Sequence, residues 1–309
     1  MQIYLPIAEM PVSVLLILGM GAAVGFISGL FGIGGGFLMT PLLIFIGIPP
    51  AVAVATQTAQ IVASSTTSVL GALRRRALDM KLGGILVAGG FVGSVLGVWF
   101  FAAARRAGLL DLVIVVSYVT LFTVVGSLML KESIREFWTK RKGGSVRPRR
   151  RAGEHPPYLG WPLRMRFYRS KLYVSVIPIT GLALFVGFAG ALLGIGGGFI
   201  VVPALLYIFR VPTTIVVGTS QFQIVCTTIV ALVLHAVQNQ AVDLVLAILL
   251  IVGGVFGAQF GARVGRNLRA ELFRFLLAIL LLAVGLRFAL ELVVRPEDPF
   301  TVTTQEVHQ

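Results

Sequence analysis

Ten apolar runs, parted by short polar breaks, leave this chain little choice of solvent. They fall at about 12–31, 35–48, 50–73, 81–103 and 109–131. After a polar stretch at 132–171 they resume at about 172–193, 197–209, 212–236, 241–263 and 269–292. A hydrocarbon core of ~30 Å takes about 20 helical residues, a length that eight of the runs meet. The second and seventh, near 14 residues, are short and begin in glycine-rich sequence. With 57 % hydrophobic and 12 % charged residues in 309, a water-soluble fold could not cover its surface, whereas a bilayer accepts it. Because lipid tolerates only self-satisfied backbone, the expected class is an all-α integral membrane protein of about ten transmembrane helical segments.

The second half repeats the first. Gly25-Phe-Ile-Ser-Gly-Leu-Phe-Gly-Ile-Gly-Gly-Gly-Phe-Leu-Met-Thr-Pro41 matches Gly187-Phe-Ala-Gly-Ala-Leu-Leu-Gly-Ile-Gly-Gly-Gly-Phe-Ile-Val-Val-Pro203. Pro49 then pairs with Pro212, Thr56 with Thr219, Gln60 with Gln223 and Asp79 with Asp243. Gly89, Gly90, Gly93 and Gly97 pair with Gly253, Gly254, Gly257 and Gly261. The expected organisation is a first membrane repeat at 12–131, a basic loop at 132–171, a second repeat at 172–292 and a polar tail at 293–309.

An odd number of spans per unit makes the second copy enter the membrane in the opposite sense. Charge favours this inverted arrangement. With ten crossings and the N-terminus outside, 21 of the 26 Lys and Arg lie in cytoplasmic loops, including thirteen between Lys131 and Lys171. Only Arg105, Arg106 and Arg295 lie in outer loops, as the positive-inside rule prefers. If the second and seventh segments failed to cross, the repeats would become parallel. The expected location is therefore the cell membrane, inner or plasma, with a cytoplasmic central loop.

The net charge of +14 is topological by this account and does not point to nucleic acid. The single cysteine, Cys226, excludes an intramolecular disulfide or thiolate metal cluster. No metal or cofactor site is expected, and no leader peptide is read from Met1–Pro6, which lacks a basic region. Hydrolytic motifs are absent, so the chain is not expected to be an enzyme.

The doubled Gly-Ile-Gly-Gly-Gly-Phe block carries the chemistry. It lacks the third glycine and the strand–helix setting of a dinucleotide fingerprint. Each mid-helix glycine costs about 1 kcal/mol against alanine, so the triplet predicts a broken helix, with new helices starting near Gly36 and Gly198. Gly34, Gly35, Gly36, Gly196, Gly197 and Gly198 would offer backbone N–H groups and the positive end of a helix dipole to an anion. Paired broken segments are the sequence signature of a transporter site near the bilayer midplane. Thr56, Gln57 and Gln60, with Thr219, Ser220, Gln221 and Gln223, place amides and hydroxyls inside spans, where they should face protein or a water-filled cavity. Such donors suit an anion with several oxygens. Ser64–Ser68 are as well explained by bonding back to their own helix. Asp79 and Asp243, each at the start of a segment, read as helix caps, with proton coupling as the alternative role. His235, at a segment end, reads as interfacial. The later glycine pairs read as close helix packing.

These motifs resemble the TauE/SafE sulfite exporters, also called the toluene-sulfonate uptake permease family. The resemblance rests on Gly29-Leu-Phe-Gly-Ile-Gly-Gly-Gly-Phe37, Gly194-Ile-Gly-Gly-Gly-Phe199, the prolines Pro41 and Pro203, and the Thr/Gln clusters. It implies a multi-pass secondary carrier of small sulfur-containing anions such as sulfite, sulfonates or sulfoacetate. The sequence reading is thus a carrier working by alternating access, its partners a sulfur oxyanion or sulfonate, a coupling proton and the lipid bilayer, and it is compatible with an oligomer. An anion channel, or a membrane scaffold acting through the basic loop, are the alternatives.

Overall fold

The computed structural model describes residues 2–31, 36–141, 164–167, 169–170, 172–209, 211–264 and 270–293. The first repeat comprises a hairpin of β1 (Gln2–Leu5) and β2 (Met10–Ser13), then α1 (Val14–Phe31), α2 (Gly36–Phe45), α3 (Pro50–Arg74), α4 (Met80–Arg106) and α5 (Leu110–Arg141). The second comprises β3 (Arg164–Phe167), β4 (Leu172–Ser175), α6 (Val176–Leu193), α7 (Gly198–Pro203), α8 (Thr213–Leu234), α9 (Leu244–Val264) and α10 (Ala270–Val293). A π-helical turn at Ala204–Ile208 extends α7, and another at His235–Asn239 extends α8. α4, α5, α6, α8 with its extension, and α9 are each long and apolar enough to cross a bilayer. Val14–Leu30, Gly36–Phe45 and Phe275–Leu290 are apolar but shorter. Exposed Trp99, Phe91, Leu112, Phe256 and Leu286 are the lipid-facing side of such a bundle.

The helical architecture is the one expected, with two short two-stranded hairpins added to it. Part of 132–171, read above as a hydrophilic loop, is strand. β1 pairs antiparallel with β2, and β3 with β4, in registers offset by 162 residues, so Gln2↔Ser13 becomes Arg164↔Ser175. The duplication therefore begins before α1. Little but alternation survives there: Leu5 and Val12 are buried in one hairpin, Phe167 and Val174 in the other. The basic clusters at 140–151, apart from Lys140 and Arg141 at the end of α5, lie outside the described residues.

The helix directions follow from which residues meet. Gly21 lies against Gly253, Gly25 against Gly254, Gly29 against Ala258 and Gly261 against Phe26 and Leu30, so α1 and α9 run parallel. Gly89 meets Ala183, Gly93 meets Leu184 and Gly97 meets Phe188 and Ala191, so α4 and α6 also run parallel. Gly83 meets Phe222 and Gly90 meets Thr227, which sets α4 parallel to α8. Thr56 bonds to Asp243 and Gln60 lies against Gly254, which sets α3 parallel to α9. In contrast, Ile61 and Ile224 meet at Gly196 while Ala72 meets Gly218, so α3 opposes α8. Tyr118 stacks on Phe288 at 5.5 Å while Gly126 meets Leu282, so α5 opposes α10.

Through these contacts α1 is antiparallel to its own repeat counterpart α6. The repeats are inverted, because α2 and α7 each turn the chain back. α2 returns it to the side from which α1 set out, where Gly47 faces Met10 of β2. Its ten residues span ~15 Å at 1.5 Å each, half of a ~30 Å core. α2 alone is therefore too short to cross such a core.

Glycine makes the long helix contacts. A Cβ on Gly93 would stand 2.9 Å from the Leu184 carbonyl carbon and the Phe188 nitrogen, which are backbone atoms that cannot rotate aside. Gly84, one turn from the start of the same helix, has nothing within 4 Å. Gly93→Ala is expected to lower the stability of the detergent-solubilised protein by about 1–3 kcal/mol, seen as a reduced Tm, and Gly84→Ala to leave it nearly unchanged. Equal melting of the two variants would show that the α4–α6 crossing is looser than described.

Candidate functional site

The second glycine block is a true helix break. α6 ends at Leu193, Gly194 (φ 66°), Gly196 (φ 66°) and Gly197 (φ 75°) take left-handed conformations, and α7 begins at Gly198. Three left-handed residues within four positions require glycine. In the first block α1 runs to Phe31 and α2 starts at Gly36. Gly34 and Gly35 lie outside the described residues. The two breaks come together: a Cβ on Gly36 would stand 3.1 Å from the Gly194 carbonyl oxygen, and Phe37 stacks on its repeat partner Phe199 at 5.5 Å. Both rings are buried.

Carbonyls at the end of α6 have lost their helical partners, and no water is needed to satisfy three of the last. The His235 Nε2–H donates to Ala191 O (3.0 Å), the Tyr118 hydroxyl donates to Leu193 O (2.6 Å), and Thr40 Oγ1 lies 3.4 Å from Gly194 O. His235 is wholly buried, correcting the interfacial reading. Its Nδ1 accepts from the Asn239 amide at 2.9 Å, and its ring stands edge-on to Phe101. Tyr118, Thr40 and His235 were not singled out as functional from the sequence. A lone tyrosine within the apolar run of α5 was the available signal.

The polar clusters on α3 and α8 separate into three groups. Most hydroxyls bond back to their own helix, as Thr58 does to Ala55 O, Ser64 to Ile61 O, Ser220 to Val216 O, and Thr227 and Thr228 to Gln223 O and Ile224 O. Thr56 and Thr219 instead cross between repeats. Thr56 Oγ1 accepts from the Asp243 N–H (2.9 Å), and Thr219 Oγ1 from the Asp79 N–H (3.1 Å). This leaves each hydroxyl only its own proton to donate.

The third group is the glutamines. Gln57, Gln60, Gln221 and Gln223 are almost wholly buried. The Gln57 amide donates to Gln60 Oε1. Gln57 Oε1, Gln60 Nε2 and both polar atoms of Gln223 have no hydrogen-bond partner among the described residues. Gln60 and Gln223 are repeat partners placed alike. The Gln60 amide fills the space beside Gly254 of α9, and Gln223 Nε2 lies 3.1 Å from where a Cβ of Gly90 on α4 would be. The paired glycines thus make room for amides as well as for helix packing. Ile61 and Ile224, next along the chain from these glutamines, both touch Gly196, so the amides and the break share one level.

Asp79 and Asp243 occupy a different place. Asp79 Oδ1 accepts from the N–H groups of Lys81 and Leu82, capping α4, while Oδ2 accepts from the N–H and hydroxyl of Ser170 at 3.0 and 2.6 Å. Asp243 caps α9 through Val245 and Leu246, and accepts from the Ile7 N–H at 2.9 Å. Each carboxylate pins the hairpin of one repeat to a helix of the other. This is the capping geometry expected of them, extended by a hairpin contact that the sequence did not reveal.

A family model described as Sulfite exporter TauE/SafE matches residues 17–288. The chain is 27 % identical over 291 residues to a "Probable membrane transporter protein YunE" of Bacillus subtilis (strain 168), covering 90 % of this chain and 98 % of that protein. It is 29 % identical over 251 residues to a "Probable membrane transporter protein" of Xylella fastidiosa (strain 9a5c), covering 79 % and 81 %. A 50-residue stretch, 16 % of this chain and 10 % of the relative, is 46 % identical to "Sulfite exporter TauE/SafE family protein 3" of Arabidopsis thaliana. No solved structure matches the chain.

Asp79→Ala removes a buried acceptor from four donors at once. It is expected to destabilise the protein by about 2–4 kcal/mol, with Asp79→Asn, which keeps one acceptor oxygen, intermediate in a detergent melting series. Wild-type melting of Asp79→Ala would show that the hairpin contact carries no stability.

Proposed function

The chain belongs to the TauE/SafE sulfite exporter family of membrane transporters, and on that premise we propose that it carries a small sulfur oxyanion or sulfonate across the cell membrane by alternating access. The observation carrying this reading is the pair of repeat-related glutamines, Gln60 and Gln223, buried at the level of the helix break with amide hydrogens that no described residue accepts. A buried unpaired amide costs about 1–3 kcal/mol, a cost repaid when a ligand arrives. Amide hydrogens from both repeats converge on oxygens of one anion. Gln57, Gln221, the hydroxyl protons of Thr56 and Thr219, and backbone N–H groups at Gly36 and Gly196–Gly198 extend the donor set. Ser220, whose hydroxyl bonds back to its helix, contributes shape. Neutral donors hold an anion without a fixed counter-charge, which favours release.

The glutamines are sealed from solvent, so the anion enters and leaves by movement. The moving bodies in this reading are not the two sequence halves. α1 locks to α9 and α6 to α4 through backbone contacts at glycine, so each body draws on both repeats. α3 and α8, carrying the amides, lie between them. A coupling proton belongs to this reading, with Asp79 and Asp243 as its candidate carriers. Arg74, Arg75, Arg76, Lys81, Arg166 and Arg169 lie exposed at one end, where α4 and α6 start, against Arg105 and Arg106 at the other. This supports a cytoplasmic central loop.

In proteoliposomes, sulfite, thiosulfate, taurine, sulfoacetate and sulfate are offered with and without a pH gradient. One sulfur anion is expected to show saturable, counterflow-stimulated flux. Gln60→Leu combined with Gln223→Leu should reduce that flux by about tenfold or more; wild-type flux would dismiss the amide site. For orientation, a cysteine at exposed Gln240 in a Cys226→Ser background should react with impermeant thiol reagent from outside the cell, and reaction only from the cytoplasm would reverse the topology.

A further inference from the structure

The second helix break is held by side chains that the repeat does not supply twice. Carbonyls of Ala191, Leu193 and Gly194 are met by His235 of the α8 extension, Tyr118 of α5 and Thr40 of α2. Three elements therefore converge on the last turn of α6 and the first glycine after it. None of these side chains recurs at the matching positions of the other repeat. The residue matching Thr40 is Val202. Those matching His235 in α3 are Gly71 or Ala72. α10, the counterpart of α5, has no hydroxyl or histidine between Ala270 and Val293.

Packing reinforces the contacts. The Tyr118 ring is fully buried, stacked on Phe288 and edge-on to Phe122 at 5.2 Å. His235 is oriented from its far side by Asn239, whose backbone carbonyl in turn accepts from Arg105 Nη1 at 2.5 Å. Because Nε2 faces a carbonyl and Nδ1 faces an amide donor, the ring is held in one tautomer. Among the described residues, the groups facing the ring nitrogens are neutral.

We propose that Tyr118, Thr40 and His235 are positioning residues that fix the path of 194–197. They thereby fix the wall that Gly196 presents to Ile61 and Ile224 beside the glutamine amides. The consequence is a second-repeat half of the site that is preset by three side chains without a repeat counterpart. This rests on the carrier reading above but is decided by a measurement that needs no substrate.

Tyr118→Phe deletes one hydroxyl and keeps the ring stack. Hydrogen–deuterium exchange of the full-length protein in lipid nanodiscs is expected to speed up about tenfold or more for amides 194–200, with the α4 amides around Gly93 unchanged. Thr40→Val should act the same way and Thr40→Ser should restore protection. In proteoliposomes, Tyr118→Phe should raise the half-saturation concentration of the transported anion about threefold to tenfold with maximal flux less affected. Unchanged exchange at 194–200 in both Tyr118→Phe and Thr40→Val overturns the proposal. So does faster exchange with half-saturation unmoved. If wild type moves none of the offered anions, the carrier reading fails, while the exchange result still decides whether these side chains hold the break. Should Tyr118→Phe fail to fold, the Thr40 pair carries the test.

Discussion

A helix interrupted within hydrocarbon exposes carbonyl and amide groups that bulk water does not reach, and each must find a partner inside the protein. Much of this architecture answers that demand. The α6–α7 break is tolerated because side chains from three other elements donate to carbonyls at its edge, and because glycine alone takes up its left-handed turns. The helices supplying those side chains must then lie within a few ångströms of the break. Around them the glycine stripes of α1, α4, α6 and α9 bring α1 onto α9 and α4 onto α6 in backbone contact.

That close approach also decides how the repeats combine. α1 packs along α9 and α6 along α4, so neither repeat is a self-contained bundle. The hairpins ahead of α1 and α6 cross over in the same way, each meeting an aspartate that caps a helix of the opposite copy. Two identical exchanges, related by an inverting twofold, leave α3 and α8 side by side at the centre. These are the helices whose middles are polar. The amides are therefore positioned by the elements least exposed to lipid, and they are gripped from both sides by glycine-lined helices.

The site divides its polar groups by the work each does. Serines and threonines mostly return to their own helix, Thr56 and Thr219 stitch across the repeats, and the aspartates cap. Among the described residues, Gln60 and Gln223 are the repeat-related pair that keeps both burial and unanswered donors. A buried polar group left in that condition is costly for a folded protein, which is why it points to a ligand more strongly than the richer list of polar residues around it.

Much of this was legible in the chain. Apolar run lengths determined the solvent, the duplicated glycine block determined where helices break, and odd spans with basic loops determined the inversion. These follow from local chemistry: helix length against bilayer thickness, and glycine against helix propensity. The aspartates' capping role was equally local. Tertiary structure alone decided that the repeats exchange helices, that two weakly similar segments form matched hairpins, that His235 is interior, and that Tyr118 and Thr40 serve a break far away in sequence. Contacts between residues 75 or 154 positions apart leave no periodic mark. The same glycine or hydroxyl serves packing, capping or binding according to which backbone lies opposite, and only the folded chain specifies that.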